Sequence, residues 1–157
     1  MKRLLTLIIL VTLCSCGPVS AATLNGIVTR VLDGDTLDIG KDRVRFRYID
    51  APESKQKSGP MSTAYLKSLV EGKEVSVIYT SRDLYKRIIG TVMLGKTNIN
   101  KMMVSEGYAW SYKGYDTKAF RSLQSSARTS MVGMWKENEG EGSCEPWNFR
   151  KKLCTEN

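Results

Sequence analysis

Arg43-Val44-Arg45-Phe46-Arg47-Tyr48-Ile49-Asp50-Ala51-Pro52-Glu53 is the stretch on which the reading of this 157-residue chain turns. Val44, Phe46 and Tyr48 alternate with Arg45, Arg47 and Ile49, the period-two pattern of a half-buried strand. Pro52 ends that strand, because proline has no N–H to give to a ladder. Upstream, Leu24 to Leu32 is rich in β-branched residues and reads as a first strand. Asp33-Gly34-Asp35 is hairpin-turn chemistry, and Thr36 to Ile39 a second short strand, ended by Gly40. Downstream, Met61, Tyr65, Leu66, Leu69 and Val70 recur at helical spacing between Pro60 and Gly72. Val75, Val77 and Tyr79 alternate as a fourth strand, and Ile88 to Leu94 reads as a fifth, before a turn at Gly95-Lys96. Ile99, Met102 and Met103 predict a short helix closing near Gly107. Phe120, Leu123, Ala127 and Met131 predict a longer one ending at Gly133. Three strands, a helix, two strands and two helices predict an α+β chain: a five-stranded OB-type β-barrel with about three helices.

The chain is long enough for one compact domain and hardly two. Hydrophobic residues are 41% and charged residues 25%, ordinary for a globular fold. The formal charge of +8 suits a polyanionic partner, since clustered Lys and Arg displace counterions from phosphates. There is no His. That excludes chemistry built on a His base or a His-rich zinc site and leaves carboxylates, Arg, Lys and Tyr, with an oxygen-bound metal if one is needed.

Residues 1–22 read as an export signal. Met1-Lys2-Arg3 is a charged start, Leu4 to Leu13 an apolar run too short to span a bilayer, and small residues follow to Ala22. Two cleavage readings stand: ordinary cleavage after Ala21 or Ala22, which is preferred, and a lipobox at Leu13-Cys14-Ser15-Cys16 with lipid on Cys16. Loss of Lys2 and Arg3 leaves 22 basic against 16 acidic residues, a net +6. Either reading places the mature chain outside the cytosol, in periplasm or medium, lipid-anchored on the second. It also leaves Cys144 and Cys154 as one even pair, for which a disulfide is the simple expectation. The domain is then 23–136, with 137–157 a polar, Gly-bearing tail pinned by that bridge.

Taken singly, the polar motifs are bland. Asp33-Gly34-Asp35-Thr36 reads as a turn, Asp50-Ala51-Pro52-Glu53 as a solvated strand end, and Arg87 as a solvated strand residue. In order, they resemble the staphylococcal nuclease family. The resemblance is carried by Val31-Leu32-Asp33-Gly34-Asp35-Thr36, Val44 to Glu53, Asp83-Leu84-Tyr85-Lys86-Arg87, Val104-Ser105-Glu106-Gly107-Tyr108-Ala109-Trp110 and Gly133-Met134-Trp135, spanning about residues 24 to 136. It implies a Ca²⁺-dependent hydrolysis of DNA and RNA without sequence or sugar preference. By that resemblance Asp35, Asp50 and the Ala51 carbonyl hold Ca²⁺, with Asp33 behind them. Glu53 activates or positions the attacking water, and Arg45 and Arg87 grip the phosphate with forked donors. Tyr85 reaches a phosphate or sugar, while Tyr112 and Tyr115 either stack on a base or simply pack.

Two points stay open in the sequence. The family spacing, five residues before the aspartate, selects Arg45 over Arg47. A regular strand, however, puts Arg45 and Asp50 on opposite faces, so the strand must end, twist or bulge between them. The family also often has glycine on both sides of the second arginine, where this chain has Lys86 and Ile88. Two readings compete with an enzyme: a non-catalytic OB-type nucleic-acid-binding module, and a structural surface lipoprotein. Catalysis is preferred because a binding module has no use for carboxylates beside a phosphate. No stable protein partner is implied, and monomer is the default.

Overall fold

The computed structural model describes residues 20–115, 117–136 and 144–154. Residues 1–19 of the expected signal, Cys16 among them, and residues 137–143 and 155–157 of the expected tail lie outside the described residues.

The barrel is built from five strands. They are β1 (Ala22–Asp33), β2 (Thr36–Ile39), β3 (Asp42–Phe46), β5 (Glu74–Arg82) and β6 (Ile88–Leu94). Antiparallel pairing runs β3-β2-β1-β5-β6, and a parallel pairing of β3 with β6 closes the ring. The seam sets Val44 opposite Ile88, Arg45 opposite Ile89 and Phe46 opposite Gly90. Alternation decides what goes inside: Val44 and Phe46 of β3, Val75 and Val77 of β5, and Ile88 and Val92 of β6 are all buried. Each large aliphatic or aromatic side chain so buried contributes on the order of 2 kcal/mol. The expected strands appear with small changes of boundary, β1 starting at Ala22, which pairs with Tyr79.

Helices cap the barrel. α1 (Gly59–Val70) carries Pro at its start and buries Leu66 and Val70. Gly72, at φ +75°, lets the chain turn out of it. α2 (Ile99–Ser105) is capped by Asn98, whose side chain accepts from the Lys101 amide, and it buries Ile99, Met103 and Val104 in the same core. α3 (Lys118–Thr129) ends four residues short of Gly133, because Met131 takes φ +52°; a 3-10 turn, Gly133–Trp135, follows. Among the described residues a further short helix, α4 (Pro146–Arg150), stands in the segment expected to be tail, beside the three read from periodicity. Trp110, Ala127, Met134 and Trp135 form a second cluster, against which Trp147 of α4 packs. The Cys144–Cys154 disulfide is present and brackets α4.

The strand expected over Arg43 to Ile49 is not continuous. β3 stops at Phe46 and resumes as β4 (Ile49–Asp50), which pairs with the short strand Trp110–Ser111. Between them Tyr48 sits at φ +73°, a conformation that costs a non-glycine residue roughly 1 kcal/mol or more. Its surroundings hold it there. The Arg47 amide donates to Gly90 O at 2.8 Å and the Tyr112 amide to Tyr48 O at 2.8 Å. The buried Asn100 amide donates to Arg47 O at 2.9 Å. The Tyr48 ring lies edge-on to Tyr115. Every backbone carbonyl of the break thus has a partner, so the break is part of the fold.

Candidate active site

The break at Tyr48 resets strand parity and lets Asp50 face the same cavity as Arg45. That cavity, of about 540 Å³, is lined by Asp35, Arg45, Asp50, Ala51, Glu53, Tyr85, Arg87, Tyr112 and Tyr115, among others. All nine residues read from the sequence as metal, catalytic or substrate groups therefore line one space.

Asp35 comes from the two-residue loop joining β1 to β2, and its amide donates to Asp33 Oδ1 at 3.0 Å. Gly34, beside it, has no positive φ; glycine is needed there for room, because a Cβ would collide with Ser62 of α1 and crowd Ala51. Asp35 Oδ2 accepts from the Ala51 amide at 2.6 Å and from Arg45 Nη1 at 2.8 Å, and Oδ1 accepts from the Thr36 hydroxyl at 3.1 Å. Arg45 Nη2 donates to Asp50 Oδ1 at 2.8 Å, and Nη1 also reaches the carbonyls of Phe46 and Ile49. One guanidinium thus ties the two buried aspartates together. Arg47 points elsewhere, to Thr80 Oγ1 at 2.9 Å on β5, with its guanidinium near the Tyr48 ring. The structure brings Arg45, and not Arg47, to the aspartates.

Burial pushes the Asp35 carboxyl from its ordinary 3.8 up to about 8. Arg45 pulls it back, the charges of Asp33 and Asp50 push the same way as burial, and the Ala51 amide pulls back again. Arg45 is the cation beside Asp35, while Asp50 takes both Arg45 and a second arginine, Arg150. Two aspartate carboxylates are hard oxygen donors of the kind Ca²⁺ takes, and Ala51 follows directly on Asp50. Among the described residues no three acidic, His or Cys side chains gather round one point. The donors on hand for such an ion are these two carboxylates and the Ala51 carbonyl, and water would have to complete its shell.

Arg87 arrives on a different support. Asp83 Oδ1 accepts from the Tyr85 and Arg87 amides, both at 2.9 Å, and Oδ2 accepts from Arg87 Nε at 2.7 Å. Lys86 stands at φ +64°, a backbone region natural to the glycine the family often has there. Ile88, at the other substituted glycine, is fully buried opposite Val44, so it adds to the core without disturbing the turn. Tyr85 is exposed and lies under the Arg87 guanidinium, 5.5 Å from ring centroid to Cζ.

Three residues of the site were not read from the sequence. Arg150 Nη2 donates to Asp50 Oδ2 at 2.8 Å, and its Nη1 to Asp50 Oδ1 at 3.1 Å and to Glu53 Oε1 at 2.6 Å. The Asp50 bond, foremost, raises the Arg150 pKa above its ordinary value. Gln56, almost fully buried, accepts from the Glu53 amide at 2.9 Å and donates to Cys144 O at 3.1 Å. Trp147 sets its ring edge-on to Trp110 and Tyr112. The sequence signal for these was faint: an arginine and a tryptophan inside a disulfide loop, and a glutamine between two lysines.

An OB-type barrel that gathers buried carboxylates, a glutamate and arginines in an open cavity is a scaffold for hydrolysing phosphodiesters. Residues 43–137 match the family described as staphylococcal nuclease homologue. The chain is 42% identical to an "Uncharacterized endonuclease" of Escherichia coli over 86% of this chain and 90% of that one. It is 35% identical to the "Micrococcal nuclease" of Shigella flexneri over 83% and 82%. An "Uncharacterized endonuclease" of Haemophilus influenzae is 34% identical over 80% and 72%. The chain belongs to the staphylococcal nuclease family and is by class a hydrolytic endonuclease whose substrate is nucleic acid.

Proposed function

We propose that the chain is an exported, Ca²⁺-dependent nuclease that cuts DNA and RNA with little regard to sequence, using Asp35, Asp50, Glu53, Arg45 and Arg87. The observation that carries this reading is the meeting of those five side chains in one cavity. A calcium ion on Asp35, Asp50 and the Ala51 carbonyl would neutralise phosphate charge and make the attacking water more acidic. The Glu53 carboxylate, half-exposed at the rim, accepts the water's proton. Arg87, whose Nε is taken by Asp83, offers its Nη donors to the phosphate oxygens, and Arg45, whose Nη donors are on Asp35, Asp50 and two carbonyls, adds its charge alongside; both stabilise the charge that builds as the bond breaks. Tyr85, Tyr112 and Tyr115 offer ring faces to sugar and base, contacts worth about 1–3 kcal/mol per stacked base. Among the described residues no Asn or Gln lines the cavity, so the paired donor and acceptor that read an adenine edge are not supplied by them, in keeping with low sequence specificity.

Incubating the mature protein with single- and double-stranded DNA and RNA, with Ca²⁺ or with chelator, tests the reading. Metal-dependent cleavage of all four is expected, with Glu53→Gln lowering turnover strongly while affinity stays. Tight binding with no metal-dependent cleavage would leave a non-catalytic binding module in its place. Export is supported by the signal-like start and by a disulfide that needs an oxidising compartment. Intact mass of the native protein separates a start near Ala22 or Thr23 from a lipid on Cys16.

A further inference from the structure

We propose that Arg150, carried on the disulfide-bracketed helix α4, is a positioning residue that orients the Glu53 carboxylate for proton transfer. The inference rests on the catalytic reading of Glu53 given above. Arg150 lies beyond the residues matched to the family, on the C-terminal segment, and lines the same cavity.

A glutamate at the rim of an open cavity has three side-chain torsions to fix, and a misplacement of an ångström can cost about 10²-fold in rate. The backbone of Glu53 is held by Gln56, whose side chain accepts the Glu53 amide at 2.9 Å and whose amide donates to Glu53 O at 2.8 Å. The carboxylate itself is held by Arg150 Nη1, which donates to Oε1 at 2.6 Å. Oε2 is the oxygen left to face the water. The same guanidinium grips both oxygens of Asp50, which is buried and also bonded to Arg45, so Glu53 is referenced to a carboxylate held from two sides. A guanidinium does this better than an ammonium, because its donors lie in one rigid plane.

Arg150 is in turn fixed from three directions. The Cys144–Cys154 bridge closes the segment on both sides of α4. Gln56 Nε2 bonds Cys144 O, joining the clasp to the Glu53 loop. Trp147 stands against Trp110 and Tyr112. An arginine reaching the site by chance from a loose tail would have none of this support.

Arg150→Ala and Arg150→Lys test the role, beside wild type and Glu53→Gln, under saturating Ca²⁺, with thermal melts to confirm that each is folded. For Arg150→Ala, kcat should fall about 10- to 100-fold with KM little changed. Millimolar guanidinium ion, harmless to wild type, should restore part of that loss, and Arg150→Lys should keep an intermediate rate. A merely structural arginine would not be rescued by a free guanidinium. Unchanged or raised kcat in Arg150→Ala, with Glu53→Gln inactive, would overturn the inference and leave the nuclease reading standing. A rise in KM with kcat kept would also overturn it, assigning Arg150 to substrate binding. Full turnover in Glu53→Gln would remove both this inference and the reading beneath it.

Discussion

Arg45 and Arg87 line one cavity, yet the chain around them is built on different terms. Arg45 sits on a barrel strand between two buried aspartates, its own side chain mostly covered. Its setting is made by contacts far apart in sequence: β3 against β6, Tyr48 O against the Tyr112 amide, Arg47 O against Asn100. Arg87 sits on a turn whose bonds are almost all local, Asp83 serving the amides of Tyr85 and Arg87 and the Arg87 side chain together. Leu84 and Tyr85 beside it are exposed. The first arginine is part of the core's electrostatics; the second is an arm held out over the cavity. The same charge should therefore have different consequences for stability when removed, even where its loss damages catalysis in both places.

The sharpest way to break that contrast is to delete each guanidinium. Arg45→Ala leaves Asp35 and Asp50 short of a shared partner in a buried site. It should destabilise the fold by about 3 kcal/mol and cost about 10³-fold in turnover. Arg87→Ala should cost about 10²-fold in kcat/KM with less than about 1 kcal/mol of stability, because its partner Asp83 stays hydrated. Denaturant melts and steady-state kinetics on the two variants check this, and equal losses of stability would erase the distinction. Arg47→Ala, whose side chain lies on β5, should leave turnover near wild type.

A smaller effect concerns acid. Burial pushes the Asp83 carboxyl up, but the Arg87 side chain and amide outweigh it, and the pKa ends below its ordinary 3.8. The folded pKa is depressed, so the stability Asp83 contributes is full above about pH 4–5 and is lost as pH falls through the lowered value. Asp83→Asn should be less stable than wild type by under about 1 kcal/mol near neutrality, the gap closing below pH 3.8. Melts across that range measure it; a gap that widens in acid has the wrong sign. The smallest change is Lys86→Gly. It relieves a positive φ but loosens the unfolded chain, so a stability change within about 1 kcal/mol, with kcat/KM kept, is expected.

The same contrast explains what could be read without coordinates. Barrel strands announce themselves by alternation, and Val44, Phe46, Val75 and Val77 are inside as their spacing requires. The parity clash between Arg45 and Asp50 was legible too, since a period of two admits no exception. Its resolution at Tyr48 was not, because nothing local favours a tyrosine in the left-handed region; Asn100, Tyr112 and Tyr115 hold it there from elsewhere in the chain. Arg150 was the hardest. It meets Asp50 across 100 positions, and no periodicity or turn signal connects an arginine in a ten-residue disulfide loop to a strand end. Local rules find the parts that fold by local rules, and the partner of Glu53 is set by docking.

The parallel pairing of β3 with β6 has a consequence beyond closing the ring. Arg45 is a seam residue, and Arg87 immediately precedes the seam residue Ile88. Whatever unzips that seam also parts the two arginines. The exchange rates of the amides from Val44 to Phe46 and from Ile88 to Gly90 should therefore rise together, and their opening free energy sets an upper limit on how often a folded molecule presents a disassembled site.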